Sequence, residues 1–124
     1  MQKINIAEKF ARISGPWKPR IAAELNGQMV KLSKFQGEFV WHHHEHEDEL
    51  FLVVKGRFRM EYRDQTLHEH HEWINEGEFI VVPRGVEHRP VAEQECWVVL
   101  FEPASTLNTG NVVNERTVPE LEHV

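Results

Sequence analysis

The sequence predicts an all-β protein, a barrel or sandwich of short strands behind one short N-terminal helix. Three observations carry this reading. Apolar or alternating runs of strand length recur at residues 21–25, 28–35, 50–55, 57–63, 79–82 and 97–101. Turn-forming residues separate them, as at Asn26-Gly27, Gly56 and Pro83. Helical periodicity is confined to residues 5–14.

Each element has a local reason. In residues 5–14, Ile6, Phe10 and Ile13 fall on one helical face, and Asn5 and Glu8 have the spacing of an N-terminal capping pair. Gly15-Pro16 ends that helix. Residues 21–25 and 28–35 flank Asn26-Gly27, whose tolerance of positive φ suits a tight hairpin turn. Residues 37–44 read as the next strand. Residues 50–55 are an unbroken apolar run ended by Gly56, as expected of a strand buried on both faces. In residues 57–63, Phe58, Met60 and Tyr62 alternate with charged residues, the pattern of a half-buried antiparallel strand. Residues 79–82 and 97–101 supply two more strands. Residues 103–124 are more polar and read as loop and tail, with a turn at Asn108-Thr109-Gly110-Asn111. No repeat, linker or low-complexity segment interrupts the chain, so residues 1–124 are expected to form one domain.

Composition narrows the function. The chain has 124 residues, enough for one core, with 40% hydrophobic and 27% charged residues. The formal net charge of -6 and the lack of a basic stripe argue against nucleic acid as a partner. The single Cys96 cannot form an internal disulfide and lies in an apolar run, where a small buried core residue is expected. The start of the chain carries Lys3, Glu8 and Lys9 and is not a signal peptide, and no segment approaches the ~20 apolar residues of a membrane span. A cytoplasmic location is the expectation.

The chemistry concentrates in Trp41-His42-His43-His44-Glu45-His46-Glu47-Asp48-Glu49, which holds four histidines and four acids. In an extended strand, side chains alternate faces, so His42 and His44 point the same way and His43 the opposite way. His44 and His46 share that spacing. Paired imidazoles, a nearby carboxylate and a distant donor such as His88 suit a metal site built on strands. A solvated run of charge is the plainer alternative. A second cluster, His68, His70 and His71, has no distant fourth donor and reads as a polar hairpin tip, with a surface metal site or a pH-responsive patch as the alternative. No nucleophile elbow, phosphate-cradling glycine loop or dinucleotide fingerprint is present.

Two spaced motifs sharpen this. The first is Gly37-x4-His42-x-His44-x4-Glu49-x6-Gly56 and the second is Gly77-x5-Pro83-x-Gly85-x2-His88. Together they resemble the two motifs of the cupin superfamily, over about residues 25–103. Gly37 stands one residue closer to the first histidine than is usual there, and Ala92 replaces the family's usual asparagine. The chain looks closest to small single-domain bacterial cupins similar to mannose-6-phosphate isomerase, a fold that hosts many functions. The resemblance implies a double-stranded β-helix, a jelly-roll barrel, with His42, His44, Glu49 and His88 converging on one divalent transition metal ion. It leaves His46 in the turn after the strand. Three imidazoles and a carboxylate suit Zn, Ni, Fe, Mn or Cu, and an octahedral field would keep positions open.

Parity then proposes the surroundings of the metal. Val40, Phe51 and Val53 share the inward face, and Phe58, Met60 and Tyr62 are expected to line the same mostly apolar cavity. Arg84 and Arg89 flank the second motif; Arg84 is a candidate for holding an anionic substrate and Arg89 is expected at the surface. The expected function is metal-dependent chemistry on a small organic molecule, by dioxygenation, isomerisation or hydrolysis, or else non-catalytic binding or sensing in the same pocket. A homodimer is expected, with Trp41 and Trp97 as outward-facing contact residues.

Overall fold

In the computed structural model, which describes residues 1–124, helix α1 spans Ile6–Ala11 and seven strands follow. They are β1 (Arg20–Leu25), β2 (Gln28–Glu38), β3 (Glu49–Lys55), β4 (Phe58–Arg63), β5 (Glu69–Ile74), β6 (Phe79–Val82) and β7 (His88–Pro103). All pair antiparallel in one seven-stranded sheet, ordered β1-β2-β7-β3-β6, with β5 and β4 attached through β7. No helix is long and apolar enough to cross a membrane.

The sheet folds over because β7 belongs to both halves. Its start pairs with β4, from Tyr62↔His88 to Arg59↔Val91, and its later part pairs with β3, from Leu50↔Phe101 to Val53↔Val98. β2 runs beside it from Gln28↔Pro103 to Glu38↔Val91, with a bulge between Phe35 and Gly37. A bulge bends its strand, so the two long strands turn the corner together.

Local chemistry explains the ends of these elements. The Asn5 side chain accepts from the Glu8 backbone N–H and caps α1. Asn26 and Gly27 take φ of 49° and 77° between β1 and β2, the two positive values of a tight hairpin turn.

Alternation then sorts the side chains. Lys31, Ser33 and Phe35 of β2, Glu49, Phe51 and Val53 of β3, Phe58 and Met60 of β4, and Cys96, Val98, Leu100 and Glu102 of β7 are all buried. The apolar members of this set form the inner core, closed by Trp17, Phe39, Ile74 and Val82. A smaller cluster sits outside, where Phe10 and Ile13 cover Leu32 and Val99, and Phe10 stacks on Trp97 at 4.9 Å. Each fully buried large apolar side chain contributes about 1.5–3 kcal/mol.

The structure departs from the expected elements in five places. The strand expected over residues 37–44 ends at Glu38, and the histidine segment beyond it is irregular apart from one bridge. The run at 50–55 is buried on one face only; Leu50, Leu52 and Val54 are half-buried, with Leu52 and Val54 at the margin of the outer cluster. Residues 69–74 form strand β5, where only a polar hairpin tip is expected. The strand expected at 97–101 is the second half of the 16-residue β7. Trp41 and Trp97 are half-buried within the chain: Arg63 lies over Trp41 at 3.9 Å, and Trp97 is covered by Phe10 and Lys55.

Candidate metal centre

His42 and His88 are brought together by the backbone. His42 N–H donates to His88 O at 3.1 Å and His88 N–H donates to His42 O at 2.9 Å. This closely spaced antiparallel pair sets their rings 4.3 Å apart. His44 is fixed by its carbonyl, which accepts from Gly85 N–H at 2.7 Å, so the turn of the second motif holds the first. Glu49 opens β3 opposite Val82 and points inward by alternation.

The four side chains converge. Their donor atoms lie within 4.8 Å of one another, and His42, His44, Glu49 and His88 are 3%, 4%, 3% and 1% exposed. His43 faces away, and its backbone N–H is bound by the Asn111 side chain. The His46 side chain is 85% exposed and takes no part.

The imidazoles are oriented as ligands. Nδ1 of His42 lies 2.8 Å from Val40 O, and Nδ1 of His88 lies 2.8 Å from Val86 O. A carbonyl can only accept, so each Nδ1 carries the hydrogen and, in the neutral ring, Nε2 presents a lone pair. Burial, then the neighbouring His88, push the His42 imidazole down to about 3, which keeps it neutral near pH 7.

These atoms fit a cation. Nε2 of His44 and Nε2 of His88 approach the same oxygen, Oε1 of Glu49, at 3.0 and 3.1 Å. The His44 nitrogen has no hydrogen bond despite its burial. His88 Nε2 is within hydrogen-bond distance of that oxygen, and three nitrogens with one carboxylate oxygen is a transition-metal donor set. Burial alone would raise the Glu49 carboxyl, but its interactions with His44, His88 and Glu102 outweigh that and hold it well below the usual range.

The expected pocket residues divide. Phe51 walls a cavity of about 30 Å³ that also touches His42 and Glu49. Met60 and Tyr62 line a separate open groove of about 640 Å³ between β4, β5 and β6. Val40 serves the site through its carbonyl, and its side chain packs against the core. Arg84 reaches outward, its backbone N–H donating to Asp48 Oδ1 at 2.8 Å and its guanidinium 3.3 Å from the same atom. Arg89 pairs with Glu61 at 2.7 Å and with Glu38 at 3.3 Å. Cys96 is buried, and burial raises its thiol to about 12, so it is an unreactive core residue.

Sequence reasoning missed three residues beside the site. Lys31, Ser33 and Glu102 are buried within the barrel, with Lys31 Nζ 2.8 Å from Glu102 Oε1. Burial, then the charge of Glu49, raise the Glu102 carboxyl well above the usual range. A signal existed, because Glu102 continues the inward alternation Cys96, Val98, Leu100 and Lys31 shares the parity of Ser33 and Phe35.

A seven-stranded antiparallel sheet folded around an inward histidine and glutamate cluster defines the class, and comparison with known proteins agrees. The Cupin_2 family, described as a cupin domain, matches residues 28–101, and the chain belongs to it. A cupin-2 domain protein of Shewanella frigidimarina NCIMB 400 is 42% identical, with a TM-score of 0.74 over 81% of this chain and 93% of its own. Protein NMB1881 of Neisseria meningitidis is 32% identical, with a TM-score of 0.71 over 83% of this chain and 100% of its own. The uncharacterized protein YdbB of Bacillus subtilis (strain 168) is 33% identical over 68% of this chain and 66% of its own length. Hydroquinone 1,2-dioxygenase from Sphingomonas sp. TTNP3 shares the fold at 14% identity, with a TM-score of 0.75 over 84% of this chain and 32% of its own.

Proposed function

We propose that this cupin binds one divalent transition metal ion, Zn, Ni, Fe or Mn, through His42, His44, Glu49 and His88, and uses it to act on a small organic molecule. The observation that carries this is the set of four buried donors within 4.8 Å, with two imidazoles tethered through Nδ1. When bound, the ion would supply Lewis acidity or redox chemistry at its open positions. The protein's part is to hold the donors rigid, keep His42 neutral and exclude bulk water.

The substrate is proposed to enter by the groove lined by Met60, Tyr62, Ile80, Val82 and Val86. Its volume suits a small ligand. In the strand register Tyr62 stands opposite His88 and Val82 opposite Glu49, so the groove adjoins two of the donors. A mostly apolar lining with few polar groups favours an apolar or aromatic molecule. That residues 1–124 work as one domain is part of this proposal, supported by the return of the chain end to β1 through Ile21↔His123.

A second reading, non-catalytic binding or sensing, is favoured by one observation. None of the four donors is more than 4% exposed, which suits retention better than turnover. A homodimer is also proposed. Its support is edge strand β6, where Phe79 and Val81 are 61% and 48% exposed. Elemental analysis of protein purified without a histidine tag tests the central reading. About one transition metal per chain supports it; absence of metal after incubation with each of the four ions overturns it.

A further inference from the structure

Behind the four donors, the barrel holds charge that metal binding does not require. Lys31 and Ser33 on β2 and Glu102 on β7 are 2%, 1% and 3% exposed. Lys31 Nζ donates to Glu102 Oε1 at 2.8 Å and to Thr106 O at 3.2 Å. Continuing the β3–β7 register past Leu50↔Phe101 sets Glu49 opposite Glu102. A row of three ionisable side chains, Glu49, Glu102 and Lys31, therefore crosses three neighbouring strands.

Apolar neighbours fill the same faces, so packing alone gives no reason for this row. A buried ion pair is at best an even exchange for apolar packing. Two atoms of the group are also left over. Ser33 Oγ and Glu102 Oε2 are buried without a partner. Both residues line the cavity of about 30 Å³ that His42, Glu49 and Asn108 share. That volume is enough to admit a water, and the walls offer several polar partners.

We propose that this cavity is a built site for one water molecule held by Ser33 and Glu102, and that Glu102, opposite Glu49 on the neighbouring strand, is a positioning residue for it. The Glu102 and Glu49 carboxyls share a direct side-chain hydrogen bond, and the water accepts from the Ser33 hydroxyl and donates to Glu102 Oε2. Lys31 fixes Glu102 from the far side. The donor carboxylate is thereby anchored to β2 as well as to β3, and its angle to the three imidazoles is set from behind.

The water site stands on its own; the positioning role rests on the metal reading proposed above. Glu102→Leu alone would strand the Lys31 ammonium, so the test pairs Lys31→Met/Glu102→Leu, which replaces the pair by apolar groups, with Glu102→Gln, which keeps a hydrogen-bonding side chain. All three proteins are loaded with cobalt(II). The double variant is expected to fold and to lose about 10–100-fold in cobalt affinity, with a shifted visible absorption band. Glu102→Gln should keep both close to wild type. An unchanged band and affinity in the double variant would overturn the positioning role. A wild-type chain that binds no cobalt would overturn the metal reading instead. A high-resolution crystal structure of the metal-free wild type separates the two, since water bridging Ser33 and Glu102 supports the site and a dry cavity refutes it.

Discussion

His42 and His88 exchange both of their backbone hydrogen bonds, at 3.1 and 2.9 Å, so the first and second motifs are joined at a pair of donor residues. The pair is made by main-chain atoms, while the rings supply the donors. Substitutions here should therefore be read by metal content and by stability together.

His88→Ala should remove the bound metal while leaving the fold intact. It deletes one donor, and the backbone pair with His42 does not need the ring. Metal-loaded wild type should melt higher than the variant, and the two should converge after chelation. Equal metal content by elemental analysis would refute the four-donor site.

Replacing His68, His70 and His71 together by alanine should leave metal content unchanged. His70 bonds Asp64 at 2.8 Å at the surface, and His68 meets Thr66, so the cluster is satisfied away from the barrel interior. Exposed pairs of this kind contribute about 0–1 kcal/mol, so the melting temperature should move little.

The two histidine clusters mark how far the sequence could be read. His42 and His44 were legible because alternation survives even where no regular strand forms. Strand β5 was not legible: its residues Glu69 to Glu72 are exposed on both faces, so no apolar alternation announces it. Glu102 was hidden for the opposite reason, since an acid closing an apolar run reads as the point where the chain meets water. Its place in the alternation of Cys96, Val98 and Leu100 was the one sequence signal, and its pairing with Lys31, distant in sequence, accounts for an acid in the interior.

Stability of the metal-free protein should fall as the pH drops below about 6.5. The His42 imidazole is held down to about 3 in the folded protein, whereas its ordinary value is 6.5. Between those values the unfolded chain binds a proton that the folded chain does not, so the contribution is complete above 6.5 and lost on the way down to 3. Glu49, also held low, acts in the same direction at the acid end, while Glu102, held high, acts in the opposite direction, so the His42 effect is read in a Glu102→Gln background. Thermal melts from pH 7.5 to 4 in the presence of chelator check this, and a flat profile would contradict it.

Gly110→Ala should destabilise the protein by more than about 1 kcal/mol. Gly110 has φ of 54°, and a Cβ there would collide with the His43 carbonyl and lie 3.1 Å from the His42 ring. Because Asn111 also accepts from His43 N–H, the strained turn would pull on the histidine segment, and metal affinity should fall with stability.

Light scattering should give a mass of twice the 14.6 kDa chain at micromolar concentration. Phe79→Lys with Val81→Lys should shift it to one chain, since these are the exposed apolar residues of edge strand β6. A single-chain mass for the wild type would refute the dimer.

Strand β7 carries His88 at one end and Glu102 near the other, and it is hydrogen-bonded to β2, β3 and β4. A strand shared in this way cannot fray without undoing both halves of the sheet. Its amides should be among the slowest in the molecule to exchange with deuterium. Metal departure would then be tied to the same rare opening. A chelator should strip the ion at a rate set by the protein and not by the chelator's concentration, which makes retention a matter of kinetics rather than of affinity alone.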